Sequence, residues 1–412
     1  MGPAPPAGDG VNATSLTVPL PGALQRLWLT MSTTLRAAIE MWTYNIGERL
    51  GQAWGRAAPQ PRASLKGKVC IVTGAESGIG FATSHQLARM GAHVIIASRN
   101  TTRSMAAVEA ISKSLQSSDV AASAAGDPAA LPLGHAEFME LDLSSLKSVR
   151  SFAKKFNARG LPLHLLICNA GIMAPPARQA SSDGLELQFQ VNFLSHWLLT
   201  NMLLAEQRKA KRHTKTGQAE GSDDGDGHVA ATLLQGGSRV VMLSSVLHRG
   251  GQLQYGDMQS ERAYSPFASY AFSKLLNNVT AVELQRRINR NPIPGRSDSV
   301  VAVHPGIADT ELSGGFFKSQ GILWLWFLSL LLPLYNGLLA ATKDVTLRTT
   351  NSAANTVLFA SLAPSELVAG AYVVPDAAVT RHHRAAYDED TAKQMWDYAA
   401  ELTGLQIDPS LS

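Results

Sequence analysis

A tyrosine and a lysine four residues apart, in Tyr270-Ala271-Phe272-Ser273-Lys274, are the first residues in this chain that could do chemistry together. On a helix that spacing puts the phenol and the ammonium on one face. A free phenol ionises near pH ~10, too high for efficient proton transfer at neutrality, and a neighbouring ammonium favours the phenolate and so lowers that value. Tyr270 then reads as an acid/base and Lys274 as the group that tunes it. Such a pair also arises by chance in a chain of 412 residues, so it counts only in company.

The company lies upstream. The apolar run Val69-Cys70-Ile71-Val72 leads into Thr73-Gly74-Ala75-Glu76-Ser77-Gly78-Ile79-Gly80 and then into a helical pattern from Phe81 to Met90. Glycines at 74, 78 and 80 let the backbone turn tightly and approach a pyrophosphate seated on the free amides of the helix N-terminus. Surface turns use glycines too, and it is the placement between a strand and a helix that favours the nucleotide reading. At the end of the next apolar run, Ser98-Arg99-Asn100 offers a guanidinium where an acidic residue would take ribose hydroxyls. Arg99 therefore suits a 2′-phosphate, with a solvated strand end as the plain alternative. Glu76 opposes such a phosphate if its carboxylate points inward.

The elements that must hold these residues follow from apolar periodicity. Short β-branched runs at Val69 to Val72, His93 to Ala97, Phe138 to Leu141, Leu163 to Ile167, Arg239 to Leu243, Val300 to Val303 and Gly370 to Val374 alternate with helical stretches. That alternation predicts an α/β fold, a Rossmann-type doubly wound parallel sheet of about seven strands with helices on both faces. Polar, low-complexity stretches near 117–134 and 213–237 read as surface insertions. Charged residues make up 17% of the chain against a usual ~25%, with a net charge of +4, which excludes a disordered polyelectrolyte and gives no reason to expect a nucleic-acid partner. Two cysteines exclude a disulfide framework and a cysteine-rich zinc site; both fall in apolar strands, and no metal is expected.

Taken in chain order, these motifs resemble the short-chain dehydrogenase/reductase family over roughly residues 65–405. The glycine spacing, Asp142-Leu143, Asn169-Ala170-Gly171, Asn192 within Gln190-Val191-Asn192-Phe193, Ser245 after Val240 to Ser244, the Tyr270/Lys274 pair and His304-Pro305-Gly306-Ile307-Ala308-Asp309-Thr310 all stand in family order. The resemblance implies a catalytic set of Asn192, Ser245, Tyr270 and Lys274. Asn192 would distort its helix and hold a water in a proton relay, Ser245 would hydrogen-bond the substrate oxygen, and Lys274 would also bind the nicotinamide ribose. It implies cofactor contacts from Thr73, Gly74, Ser77, Gly78, Ile79, Gly80 and Arg99, from Asp142 and Leu143 at the adenine, and from Asn169, Ala170 and Gly171. Pro305, Gly306 and Thr310 would complete the set, Thr310 at the carboxamide. NADP(H) is the preferred cofactor, with NAD(H) the alternative. His304 reads as packing, and His382 and His383 as solvated. The stretch Tyr387 to Trp396 is similar to the C-terminal helix of the retinol-dehydrogenase-like branch, which includes the WW-domain oxidoreductases and polyprenol-type dehydrogenases.

Two segments bear on substrate and place. Residues 1–64 form an N-terminal extension, Pro/Gly-rich at first and then helical in period from Leu24 to Trp54. That helix is a packed element, an interfacial membrane helix or a cleaved transit segment. Between Lys318 and Lys343 no charged residue occurs, and this stretch, within an expected lid near 316–342, begins where the family keeps its substrate-covering helices; a membrane span and a self-association surface are the alternatives. Within the single catalytic domain 65–412, such a lid implies a lipophilic alcohol or carbonyl substrate of retinoid, prenol or steroid type. It further implies association with a membrane surface inside the cell, at the endoplasmic reticulum, a lipid droplet or an organelle envelope; a homodimer is one assembly open to it. The competing classes are a catalytically silent nucleotide-binding scaffold and a membrane-associated redox-sensing subunit.

Overall fold

The computed structural model describes residues 63–125, 133–213, 236–306, 308 and 349–412. The N-terminal extension to residue 62, most of the second insertion, the apolar lid and Thr310 lie outside the described residues.

Eight strands form one sheet in the order β3-β2-β1-β4-β5-β6-β7-β8. They are β1 (Val69–Thr73), β2 (His93–Ser98), β3 (His135–Glu140), β4 (Leu165–Cys168), β5 (Arg239–Leu243), β6 (Ser299–Val303), β7 (Tyr372–Val374) and β8 (Ala378–Thr380). The first seven pair in parallel, as the alternation predicts. The eighth is an antiparallel edge strand, made by a tight return through Pro375–Ala377, and it lies outside the expected count.

Strand side chains alternate between two cores. Val69 and Ile71 of β1 join one cluster, and Cys70 and Val72 join the other. The second cluster is covered by α1 (Gly78–Arg89), α2 (Thr101–Ala125) and, across the gap, α6 (Thr350–Leu362). The first is covered by α3 (Leu146–Ala158), α4 (Ser195–His213), α5 (Pro266–Arg290) and α7 (Glu389–Thr403). Trp197 of α4 meets Trp396 of α7 edge-on at 5.1 Å, and Arg287 of α5 lies 4.4 Å from the Trp396 ring. α2 continues to Ala125, into the stretch read as an insertion near 117–134, because Val120 to Ala125 is rich in alanine, the best helix former.

Strand order reverses between β1 and β4, which carry their crossovers to opposite sides. The crevice beyond their C-terminal ends is where such sheets bind ligands. Thr73 ends β1 there and Asn169 follows β4.

Candidate active site

The turn after β1 is built for close approach. Gly74 has φ +63°, and a Cβ there would sit 2.9 Å from Ala170 Cα. A Cβ at Gly80 would lie 2.3 Å from the Gly74 carbonyl oxygen and 2.5 Å from Asn169 Nδ2, so only glycine fits. Most described helices are capped: Ser265 accepts from Ala268 N–H for α5 and Asp388 from Thr391 N–H for α7. α1 differs, since its N-cap residue Ser77 makes no side-chain cap bond. The first-turn amides of α1 thus lack the side-chain oxygen that usually satisfies them, which fits an anionic pyrophosphate. Ile79 packs against the core under the turn.

Asn169 clamps this turn from the β4 side. Its Nδ2 donates to the Thr73 carbonyl at 2.8 Å and the Gly74 carbonyl at 3.3 Å. The backbone N–H groups of Asn169 and Ala170 both donate to Thr73 Oγ1 at 2.9 Å. Thr73, expected among the cofactor contacts, thus spends its side chain tying β1 to β4. Gly171 faces the next cluster: a Cβ there would lie 3.2 Å from Asn192 Oδ1 and 3.5 Å from Lys274 Nζ.

Asn192 sits in a π-helical turn, Gln190–Leu194, that opens the helix leading into α4. Its Oδ1 accepts from Ile172 N–H at 2.8 Å, and its Nδ2 donates to the Ile172 carbonyl and to Ser273 Oγ, each at 3.0 Å. The wider turn releases the Asn192 carbonyl, which accepts from His196 Nδ1 at 3.1 Å and Asn277 Nδ2 at 3.2 Å. With that single acceptance, Oδ1 keeps a second lone pair.

Tyr270 and Lys274 share a face of α5, 4% and 3% exposed, with Nζ 5.6 Å from the phenol ring centre. Lys274 Nζ donates to the Leu243 carbonyl at 3.0 Å. The Tyr270 hydroxyl hydrogen-bonds the Ser245 side chain. The two serines after β5 divide their work: Ser244 Oγ donates to the Lys274 carbonyl at 3.0 Å and accepts from Asn278 Nδ2 at 2.6 Å, while Ser245 is left to Tyr270 and a long bond from Leu247 N–H. Burial pushes Tyr270 up to about 12, with the Ser245 bond opposing, and burial draws Lys274 down to about 8. Removing water penalises both charged forms.

The remaining expected contacts divide. Arg99 is exposed at the end of β2, while Asn100 caps α2 by accepting from Arg103 N–H at 3.0 Å. Asp142 Oδ1 is held by Ser144, from its N–H at 2.9 Å and its Oγ at 2.7 Å, and Leu143 is buried in the core. Pro305 and Gly306 follow β6, Gly306 at φ +90°. In the glycine turn, Glu76 Oε2 is buried without a partner.

Histidines carried the least legible information. His304 is buried, as expected for packing, and burial draws it down to about 4. His382, read as solvated, is instead buried: Nδ1 lies 2.8 Å from Asn278 Oδ1 and Nε2 lies 3.0 Å from the Gly370 carbonyl. The return strand β8 folds it back onto α5. His196, Ser273 and Asn277 went unnoticed; the one signal was spacing, with His196 one helical turn after Asn192. Cys70 and Cys168 are buried strand residues with thiols pushed up to about 12 by burial, hence inert.

Comparison with known proteins gives the following. The profile of the family described as short chain dehydrogenase matches residues 68–214. Polyprenol dehydrogenase of Danio rerio is 34% identical over 82% of this chain and 88% of its own length. The Mus musculus polyprenol dehydrogenase is 33% identical over 91% of this chain and 97% of its own. Retinol dehydrogenase 11 of Homo sapiens is 31% identical over 84% and 88%. Among solved structures, an uncharacterized protein from Mycobacterium paratuberculosis superposes with a TM-score of 0.55 at 26% identity, covering 84% of this chain and 96% of that one.

Proposed function

The chain belongs to the short-chain dehydrogenase family, and from that premise we propose that it is an NADP(H)-dependent oxidoreductase interconverting a lipophilic alcohol and its carbonyl compound, with Tyr270 as acid/base. The observation that carries this reading is the buried Tyr270/Lys274 pair, with Ser245 bonded to the Tyr270 hydroxyl and Lys274 Nζ brought beside Gly171.

The residues present fit a dinucleotide. The uncapped first turn of α1, reached over Gly74 and Gly80, would hold the pyrophosphate, and Arg99 a 2′-phosphate. When bound, the nicotinamide supplies or accepts the hydride. The chain's own part is the proton. In reduction the Tyr270 hydroxyl donates its proton to the substrate oxygen, and Ser245 hydrogen-bonds the same oxygen and fixes its place. In oxidation Tyr270 takes the proton back. Lys274, held by the Leu243 carbonyl, stabilises the phenolate, and Asn192 holds Ser273 and the Ile172 backbone in place around it.

A lipophilic substrate is supported by the names of the relatives, which concern polyprenol and retinol, and by the charge-free stretch between Lys318 and Lys343. The same stretch supports work at a membrane surface. Among the described residues no helix is long and apolar enough to cross a membrane.

The test is turnover of retinoid, prenol and steroid carbonyls with NADPH, beside Tyr270→Phe. Turnover that falls on the order of 10³-fold in the variant, with NADPH still bound, is expected for loss of the acid/base. Binding without Tyr270-dependent turnover on any substrate would identify a silent scaffold instead. Arg99→Ala is expected to weaken NADPH by on the order of tenfold and NADH little; equal loss of both would remove the 2′-phosphate assignment.

A further inference from the structure

Of the buried polar groups around the site, His196 touches both halves of it. It lies on α4, one turn after Asn192, and is 2% exposed. Each ring nitrogen has a partner that dictates its role. Nδ1 lies 3.1 Å from the Asn192 carbonyl oxygen, which can only accept, so Nδ1 carries the proton. Nε2 lies 2.9 Å from Thr73 Oγ1 and is then a lone pair, so the Thr73 hydroxyl donates to it. The Ile167 carbonyl, 3.4 Å from the same hydroxyl, is the poorer acceptor. With its proton given to His196, Thr73 Oγ1 presents its lone pairs to the N–H groups of Asn169 and Ala170 at 2.9 Å each.

This is a one-way chain of donors and acceptors, running from the Asn169 and Ala170 amides through Thr73 and His196 to Asn192. Moving the ring proton to Nε2 would set a lone pair against the Asn192 carbonyl oxygen and force the Thr73 hydroxyl onto its weaker acceptor. Because Thr73, His196 and Asn192 are all buried, the wrong arrangement leaves polar atoms unsatisfied where water cannot repair them. The chain links the end of β1, which carries the glycine turn, to the π-turn, which braces Ser273 and the start of the Tyr270/Lys274 face.

We infer that His196 is a positioning residue: as the neutral Nδ1–H tautomer it ties the Asn192 carbonyl to Thr73 and so keeps the proton-transfer pair in register with the glycine turn. The inference rests on the oxidoreductase reading above. It assigns His196 no contact with substrate. Its effect on rate is geometric, since hydride and proton must reach one carbon–oxygen bond from two separately anchored elements, and misplacement by about 1 Å costs on the order of 10²-fold.

The experiment combines imidazole 15N NMR of the histidine-labelled chain, His196 being assigned by its loss in His196→Gln, with kinetics of His196→Phe and His196→Gln. A pyrrole-type Nδ1 and a pyridine-type Nε2 are expected for His196 in the native chain. His196→Phe is expected to lower kcat on the order of 10²-fold. Its Kd for NADPH should change less than about threefold, because Asn169 Nδ2 still clamps the turn. The glutamine amide, carrying donor and acceptor together, is expected to recover about tenfold of that loss. An Nε2–H tautomer overturns the inference, as does a glutamine variant no better than phenylalanine, or kcat and Kd failing together as in a plain folding defect. Wild-type protein that neither binds NADPH nor turns over would sink the oxidoreductase reading instead, and the tautomer measurement would still judge the hydrogen-bond chain by itself.

Discussion

Replacing Lys274 by methionine removes the ammonium while roughly filling its channel, and the structure sets the size of the effect. At 5.6 Å, with an effective dielectric of about 20, a unit charge is worth about 3 kcal/mol to the phenolate, or about 2 pK units. Burial holds Tyr270 at about 12 and Lys274 at about 8. An ammonium beside it draws the phenol back toward its ordinary value by that amount. The first proton to leave the pair, near pH 8, comes mostly from the lysine, and above that pH the reactive phenolate–ammonium form levels off at about one part in 100. In Lys274→Met the phenol ionises near 12, so the phenolate fraction at pH 8 is about one part in 10⁴ and climbs tenfold per pH unit. Oxidation of a prenol or retinoid alcohol with NADP⁺, followed as kcat/KM from about pH 6 to about pH 10, should then plateau above about 8 for the native enzyme. The variant should run about 100-fold slower at pH 8 and close the gap near pH 10. Two parallel profiles, the variant slower by one factor at every pH, would refute the electrostatic role and leave Lys274 a binding group only.

Two further outcomes follow from burial and fit. Gly80→Ala places a methyl within 2.3 Å of the Gly74 carbonyl and 2.5 Å of Asn169 Nδ2; a loss of about 1–3 kcal/mol in thermal or denaturant unfolding is expected, with NADPH binding weakened more than tenfold in calorimetry. Unchanged binding would show that the turn does not seat the dinucleotide. Burial draws His164, His196, His304 and His382 down to about 4 and His248 to about 3, against an ordinary value of 6.5. Between roughly pH 4 and 6.5 the unfolded chain binds more protons than the folded one, so stability is full above that window and falls as pH drops through it. Each such histidine contributes at most about 1.4 kcal/mol per pH unit, and even half of them cost several kcal/mol between pH 6 and pH 5. Melting temperatures should be flat from about pH 7 to 8 and drop steeply below about 6; a midpoint unchanged at pH 5 would mean these rings are not buried as neutral species.

The sheet was readable because parallel strands buried on both faces must be continuous apolar runs, and Val69 to Val72 or Val300 to Val303 have no other plausible use. The glycine turn and the Tyr270/Lys274 pair were readable because both are local: steric need at Gly74 and Gly80, and one helical turn between phenol and amine. What the sequence concealed depends on residues distant along the chain. His382 has polar neighbours and reads as exposed until β8 returns it to Asn278, 104 positions earlier. The burial that pushes Tyr270 up was hidden for a related reason, since an i, i+4 lysine is visible in sequence whereas desolvation is a property of the packed core. Thr73 was assigned to the cofactor by motif, but its hydroxyl is committed to His196, Asn169 and Ala170, partners 96 to 123 residues away by position and adjacent only after the crossover of β1 and β4.

Burial of the proton-transfer pair also bears on how one tyrosine can serve both directions. In a dry site a charge brought close is screened little, so the phenol responds to its neighbours far more than an exposed tyrosine would. Next to an oxidised, positively charged nicotinamide the phenolate is favoured, which suits a base for alcohol oxidation. Next to the reduced, neutral ring that help is absent, and Tyr270 with its high intrinsic value keeps its proton to give away. On the proposed reading, the desolvation that at first looks hostile to catalysis would make the proton state of Tyr270 follow the redox state of the dinucleotide. An exposed tyrosine with an ordinary value would lose that coupling, so substitutions that admit water to the Tyr270 hydroxyl without replacing Tyr270 should compress the difference between the oxidation and reduction pH profiles; profiles that stay apart would place the coupling in the lysine alone.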